Sequence, residues 1–384
     1  MSDISFYFTP VELNNRSFKE EQIGGFINVF TTNFPELESN ALALLYVPEV
    51  RGHVAQEDHQ VSSRFRDSFY QLYKGNNWNR TLYDLGDIKP GKELKDTYFA
   101  LSKVVEELVK KRIVPIVIGG SQDLIIGIYE AYARLEQLVN ICSIDYALDL
   151  GDLEREVDSD SYLTPLMLKR PCYLFNHANI GVQIPYIRAK DMKLFEQLYF
   201  DVCRLGEFNS DFRIAEPHLR NADLINIDFK SIRASEVFSH NANPNGFYSE
   251  QICQITRYAG ISDKVNCLGI FNYRDINEIS DKLLSDMIWY FSDGYFSRWG
   301  DFPVGSKSEY KKFTVILEEG NYTIVFFKSN KSDRWWMEVP YPPSEGKKYE
   351  RHYLVPCNKF DYDRAMENEM PDLWWKTYQK LCSD

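Results

Sequence analysis

The sequence predicts an α/β protein of three layers, with helices on both faces of a mainly parallel sheet, followed by a C-terminal extension of different character. Three observations carry this. Helical and strand patterns alternate through the first three quarters of the 384 residues. The strand candidates are near-continuous apolar runs, the pattern of strands buried on both faces. Beyond about Trp299 the alternation gives way to short β-rich runs and closely spaced aromatics.

In order along the chain, residues 41–47 form an apolar run stopped by Pro48, a first strand. Residues 64–73 carry apolar side chains at helical spacing, and residues 82–87 read as a short strand ending in a turn. Residues 92–112 predict a long amphipathic helix with Leu94, Tyr98, Leu101, Val104, Val105 and Leu108 on one stripe. It feeds a β-branched run, 113–118, that ends at Gly119 and Gly120. Further strands are expected at 139–144, 178–184, 224–228 and 265–271, with helices at 190–204, 249–258 and 278–290. In the extension, 311–317 and 322–327 flank Glu318-Glu319-Gly320-Asn321, a hairpin signal. Trp335-Trp336, an apolar run at 353–356 and Leu373-Trp374-Trp375 follow. We expect two units, 1–299 and 300–384.

Bulk properties exclude several functions. A formal net charge of −12 offers no basic footprint for nucleic acid or an anionic membrane surface. No stretch approaches the roughly 18–20 apolar residues of a membrane span, and no secretion signal opens the chain, so a cytoplasmic protein is expected. Seven scattered cysteines without a C-x-x-C pair argue against a disulfide framework or a zinc ribbon.

In an open α/β sheet, ligands gather at the carboxyl ends of the strands. There the segments are Val47-Pro48-Glu49-Val50-Arg51-Gly52, Asp84-Leu85-Gly86-Asp87, Gly119-Gly120-Ser121-Gln122-Asp123, Ser143-Ile144-Asp145-Tyr146-Ala147-Leu148-Asp149, Asn179-Ile180-Gly181-Val182 and Asn226-Ile227-Asp228-Phe229-Lys230. In order and spacing over residues 41–297 they resemble the ureohydrolase family of arginase, agmatinase and especially formiminoglutamase. The resemblance implies the arginase-like fold and a centre of two Mn²⁺ held by two histidines and four aspartates, activating a hydroxide for attack on a guanidinium or formimino carbon.

Matched to the family's motifs, Asp145, Asp149 and Asp228 remain, whereas Gln122 and Ala147 stand at the histidine places and Lys230 at that of the last aspartate. An ammonium has no lone pair to give a metal, and about 4 Å from a cation it is repelled by several kcal/mol. On a strand, Asp228 and Lys230 would project together, so Lys230 is expected to take the second metal's place and balance Asp145 and Asp228. Arg274 falls at the family's substrate-binding carboxylate, and Tyr162-Leu163-Thr164-Pro165 lacks the histidine that arginase-type members carry there.

The resulting expectation is an arginase-fold pseudoenzyme without the dinuclear centre and with no catalytic residues, cofactor or resident metal, working as a protein-binding or scaffold component. Two alternatives stay open. One is a formiminoglutamase-type amidine hydrolase with one weakly bound Mn²⁺ or Mg²⁺ at Asp145, Asp149 and Asp228. The other is a small-molecule sensor that keeps the pocket. Partners are expected to be a protein or a second copy, through the extension and its Trp335, Trp336, Trp374 and Trp375. Adjacent tryptophans cannot share one face, so one of each pair is expected in the core and the other against a neighbouring unit. His53 and His59 read as solvated loop histidines, and His177 as a core or strand-cap residue.

Overall fold

The computed structural model describes residues 4–13, 17–53, 63–152, 154, 156–238, 242–273, 277–303, 307–317, 322–341 and 352–382. Among the described residues one sheet has ten strands and a second has four. The first comprises β1 (Phe8–Thr9), β2 (Asn28–Val29), β3 (Leu42–Val47), β4 (Leu82–Ile88), β5 (Val114–Gly119), β6 (Val139–Ile144), β7 (Leu174–Val182), β8 (Asp201–Arg204), β9 (Leu224–Asp228) and β10 (Cys267–Phe271). The second is a meander of β11 (Tyr310–Leu317), β12 (Tyr322–Ser329), β13 (Trp335–Pro340) and β14 (His352–Cys357).

The strand order in the large sheet is β1-β4-β3-β5-β10-β9-β6-β7-β8, with β2 beside β4. All pairings are parallel except the short β1–β4 pair. Two separate apolar cores form on its two faces, which makes three layers. Leu44, Ile116, Ile144, Ile227 and Ile270 point one way, toward the helices Ser249–Ile261 and Glu278–Phe296. Val117, Ile141, Val182, Leu224 and Phe271 point the other, toward Leu94–Lys110 and Ile125–Arg134.

One expected helix is cut short. Residues 190–204 divide into a helix, Ala189–Gln197, and the edge strand β8, because Tyr199 takes a left-handed φ of 55° and Val202-Cys203 then pair in parallel with Asn179-Ile180. The expected strand 178–184 begins earlier, at Leu174, and ends at Val182, since Pro185 sits inside a short 3-10 turn that starts at Ile184. The extension holds more strand than one hairpin. β11 and β12 pair as the expected hairpin, Leu317 opposite Tyr322, while turn residues 318–321 lie outside the described residues.

The second sheet packs at the amino ends of the large sheet's strands, away from the carboxyl ends. The buried Arg220 guanidinium donates to the carbonyls of Trp335 (2.9 Å) and Cys357 (2.8 Å), and the Asn140 amide donates to Tyr353 Oη at 3.1 Å. The paired tryptophans divide as their geometry requires. Trp335 stacks on Phe313 and Tyr362 within the extension, whereas Trp336 lies under Arg220, 4.6 Å from its ring centroid. Trp374 is buried and donates its indole N–H to Glu338 O, while Trp375 is 39% exposed. Among the described residues no helix is long and apolar enough to cross a membrane.

Candidate functional site

The order β5-β10-β9-β6 sets four carboxyl ends side by side, and the residues just beyond them meet in one hydrogen-bonded cluster. Asp145 follows β6, Asp228 closes β9, Asn272 follows β10, and Gln122 opens the turn after β5. All four are buried.

The two amides link the two acids. Gln122 donates from Nε2 to Asp145 Oδ2 at 2.8 Å, and its Oε1 accepts from Asn272 Nδ2 at 3.1 Å. The same Asn272 amide nitrogen donates to Asp228 Oδ1 at 2.9 Å. Asn272 reaches this position from a left-handed φ of 58°, a conformation that asparagine tolerates better than most residues, with its own N–H bound to Gly120 O. Each acid also folds onto its own chain. Asp145 Oδ1 accepts from the Ala147 amide at 3.0 Å, and Asp228 Oδ1 from the Lys230 amide at 2.8 Å.

Lys230 departs in one respect from the expectation. β9 ends at Asp228 and residues Phe229–Ser231 form a 3-10 turn, so strand alternation is not what aims the side chain. Its ammonium nevertheless returns to the cluster, 3.8 Å from Asp228 Oδ2 and 2.9 Å from Asp160 Oδ1. The carboxylates it balances are thus Asp228 and Asp160; the expected pairing with Asp145 is replaced by the Gln122 amide. Burial pulls the Lys230 pKa down, but the charges of Asp228 and Asp160 outweigh it and hold the ammonium above its usual range.

Asp149 joins from the loop after β6 through a left-handed backbone, φ 47°, and shares a hydrogen bond with Asp145. Burial, together with the neighbouring Asp228 charge, pushes Asp145 up to about 7. Asp149 rises well above the usual carboxylate range through burial and the charges of Asp145 and Asp228. Both shifts favour the protonated form of the Asp145–Asp149 pair, which is how two buried acids come to sit side by side. Among the described residues no group of three or more His, Cys, Asp or Glu side chains is placed to hold a metal ion.

A second polar layer, missed by sequence reasoning, lies one register step deeper in the sheet. Ser143 on β6 is paired with Asn179 on β7 and Asn226 on β9. Asn226 Nδ2 donates to Tyr162 Oη (2.8 Å) and to Ser143 Oγ (3.2 Å), and Ser143 Oγ lies 3.1 Å from His177 Nε2. The available signal was polar residues inside otherwise apolar buried strands. This Ser–His contact is sealed in the core, so His177 has the core role expected of it. His53 is buried, against the expectation of an exposed loop residue, its amide bonded to Val50 O; His59 and Arg274 lie outside the described residues.

No family model and no curated protein matches the chain. Solved structures do. The formimidoylglutamase of Bacillus subtilis subsp. subtilis str. 168 superposes with a TM-score of 0.64 at 13% identity, covering 75% of this chain and 97% of that one. The Mn²⁺ form of Trypanosoma cruzi formiminoglutamase gives 0.60 at 17% identity, covering 68% and 94%. The chain has the arginase-like fold. Arginase from Medicago truncatula, with a TM-score of 0.55 at 16% identity over 66% of this chain and 87% of its own, places the same arginase-like architecture in a further enzyme.

Proposed function

We propose that this arginase-fold protein does not carry a two-manganese centre and acts by binding, with the part from residue 300 onward serving assembly. The observation that carries the reading is the amide bridge Asp145–Gln122–Asn272–Asp228. Gln122 turns its NH₂ toward Asp145 and its oxygen toward Asn272, so the group it presents beside Asp145 is a donor with no lone pair for a cation. Lys230 adds a fixed positive charge at Asp228, and Ala147 has no donor side chain. The residues present do not fit a dinuclear centre.

The four tryptophans support only a narrow partner surface, because three are packed inside and Trp375 alone stays substantially exposed. The rival reading, amidine hydrolysis with a single ion, draws on Asp145, Asp149 and Asp228 lying close enough to perturb one another. Incubating the Mn²⁺-supplemented protein with a panel of guanidino and formimino compounds separates the two. The binding reading expects no release of urea, ammonia or formamide above a heat-treated control; metal-dependent turnover of any member would overturn it.

A further inference from the structure

The C-terminal helix Asp372–Cys382 meets the large sheet through a cluster that neither the proposed site nor the aromatic core uses. Asp201, the first residue of β8, is buried and receives Lys376 Nζ at 2.9 Å. His218 Nδ1, from the helix Ala215–Asn221, lies 3.8 Å from its other oxygen, and Asn176 Nδ2 from β7 lies 3.4 Å from that same oxygen. One helical turn beyond Lys376, Lys380 donates to Asn176 Oδ1 and lies over the Phe200 ring, 5.6 Å from its centroid. Behind it His177 keeps its Nδ1 buried without a hydrogen-bond partner.

Among the described residues the charges at this junction do not balance: two ammoniums and two imidazoles face the single carboxylate of Asp201. The other nearby acid, Glu216, is engaged by Arg220 at 2.9 Å, with Arg334 at 3.9 Å. A further proton in the enclosure therefore adds to an uncompensated positive charge in a poorly solvated place.

We propose that docking of the Asp372–Cys382 helix onto β7 and β8 is a pH-operated latch, closed at neutral and alkaline pH and loosened in mild acid by protonation of His218. Burial, with Lys376 and Lys380 adding to it against the opposing pull of Asp201, lowers the His218 pKa, and burial lowers that of Lys380 to about 8. Both shifts have the same sign. The docked state holds fewer protons than the released one, so docking weakens as pH falls. Released His218 titrates near 6.5, so two pH units from 7.5 to 5.5 shift the opening equilibrium by up to about tenfold.

The test is hydrogen–deuterium exchange on the full chain at pH 5.5, 6.5 and 7.5, corrected for intrinsic exchange, with β10 as the internal reference for global opening. Protection of residues 372–382 relative to β10 is expected to fall more than twofold, and up to about tenfold, from pH 7.5 to 5.5. His218→Gln, neutral throughout, is expected to flatten that dependence, and His218→Asn provides the same neutral side chain should the first variant fold poorly. A wild-type ratio constant within twofold, or a tenfold change that survives in either variant, overturns the latch.

Discussion

At the scale of single residues, the cluster under the carboxyl ends depends on which side chain supplies each charge and each proton. Among the described residues Lys230 is the one cation set against the buried Asp228. Lys230→Ala is expected to destabilise the chain by about 3 kcal/mol, the usual effect of stripping the partner from a buried charge, read as a lower urea midpoint at unchanged slope. The Asp145–Asp149 pair makes a prediction of definite sign. Their folded pKa values are raised, so the folded state binds more protons than the unfolded one between about pH 4 and 7. Their contribution is thus favourable in acid and lost as pH rises through about 7. Asp149→Asn can still donate to Asp145 but cannot ionise. It is expected to flatten the dependence of urea stability between pH 4.5 and 7.5, and an unchanged dependence would show that the pair holds no shared proton.

Much of this residue-level picture was legible in the sequence. Gln122, Ala147, Lys230 and the three aspartates stand at strand ends that flanking apolar runs fix in register. Asn272 was not legible, because its role depends on a left-handed backbone and on the adjacency of β5, β9 and β10, neither of which leaves a local pattern. What was hidden about Ser143, His177 and Asn226 is their mutual contact, which joins three different strands.

At the scale of elements, strands and long helices were readable wherever one period ran uninterrupted, as in β3, β5, β6 and β9. β8 was hidden because its four residues, Asp201 to Arg204, continue the polar–apolar rhythm of the helix before them, and only pairing with β7 reveals the strand. The end of β5 shows how tightly elements meet at the site. A Cβ on Gly120 would lie 2.1 Å from Glu49 O, a backbone atom that cannot step aside. Gly120→Ala is expected to separate the loops after β3 and β5 at a cost of about 1–3 kcal/mol, visible as a thermal midpoint lowered by a few degrees. A variant as stable as the parent would show that these loops have room.

At the scale of the whole molecule, the second sheet buttresses the amino ends of the first and leaves the carboxyl ends free of it. Arg220 joins the two through two carbonyls that lie inside the junction. Arg220→Met is expected to lower stability by about 2–4 kcal/mol and to split the unfolding transition, with Trp336 reporting the earlier step. A single transition at the parent midpoint would contradict that coupling. Under the proposed reading, this arginase-like architecture carries an amide bridge between two acids, closed by a lysine, in place of a metal centre.

The most direct test of that statement is isothermal titration of the metal-stripped protein with Mn²⁺, beside the variant Gln122→His/Ala147→His/Lys230→Asp. The account predicts no saturable binding to the parent at millimolar Mn²⁺ and recovered binding in the triple variant. Two ions bound tightly per parent chain would contradict it.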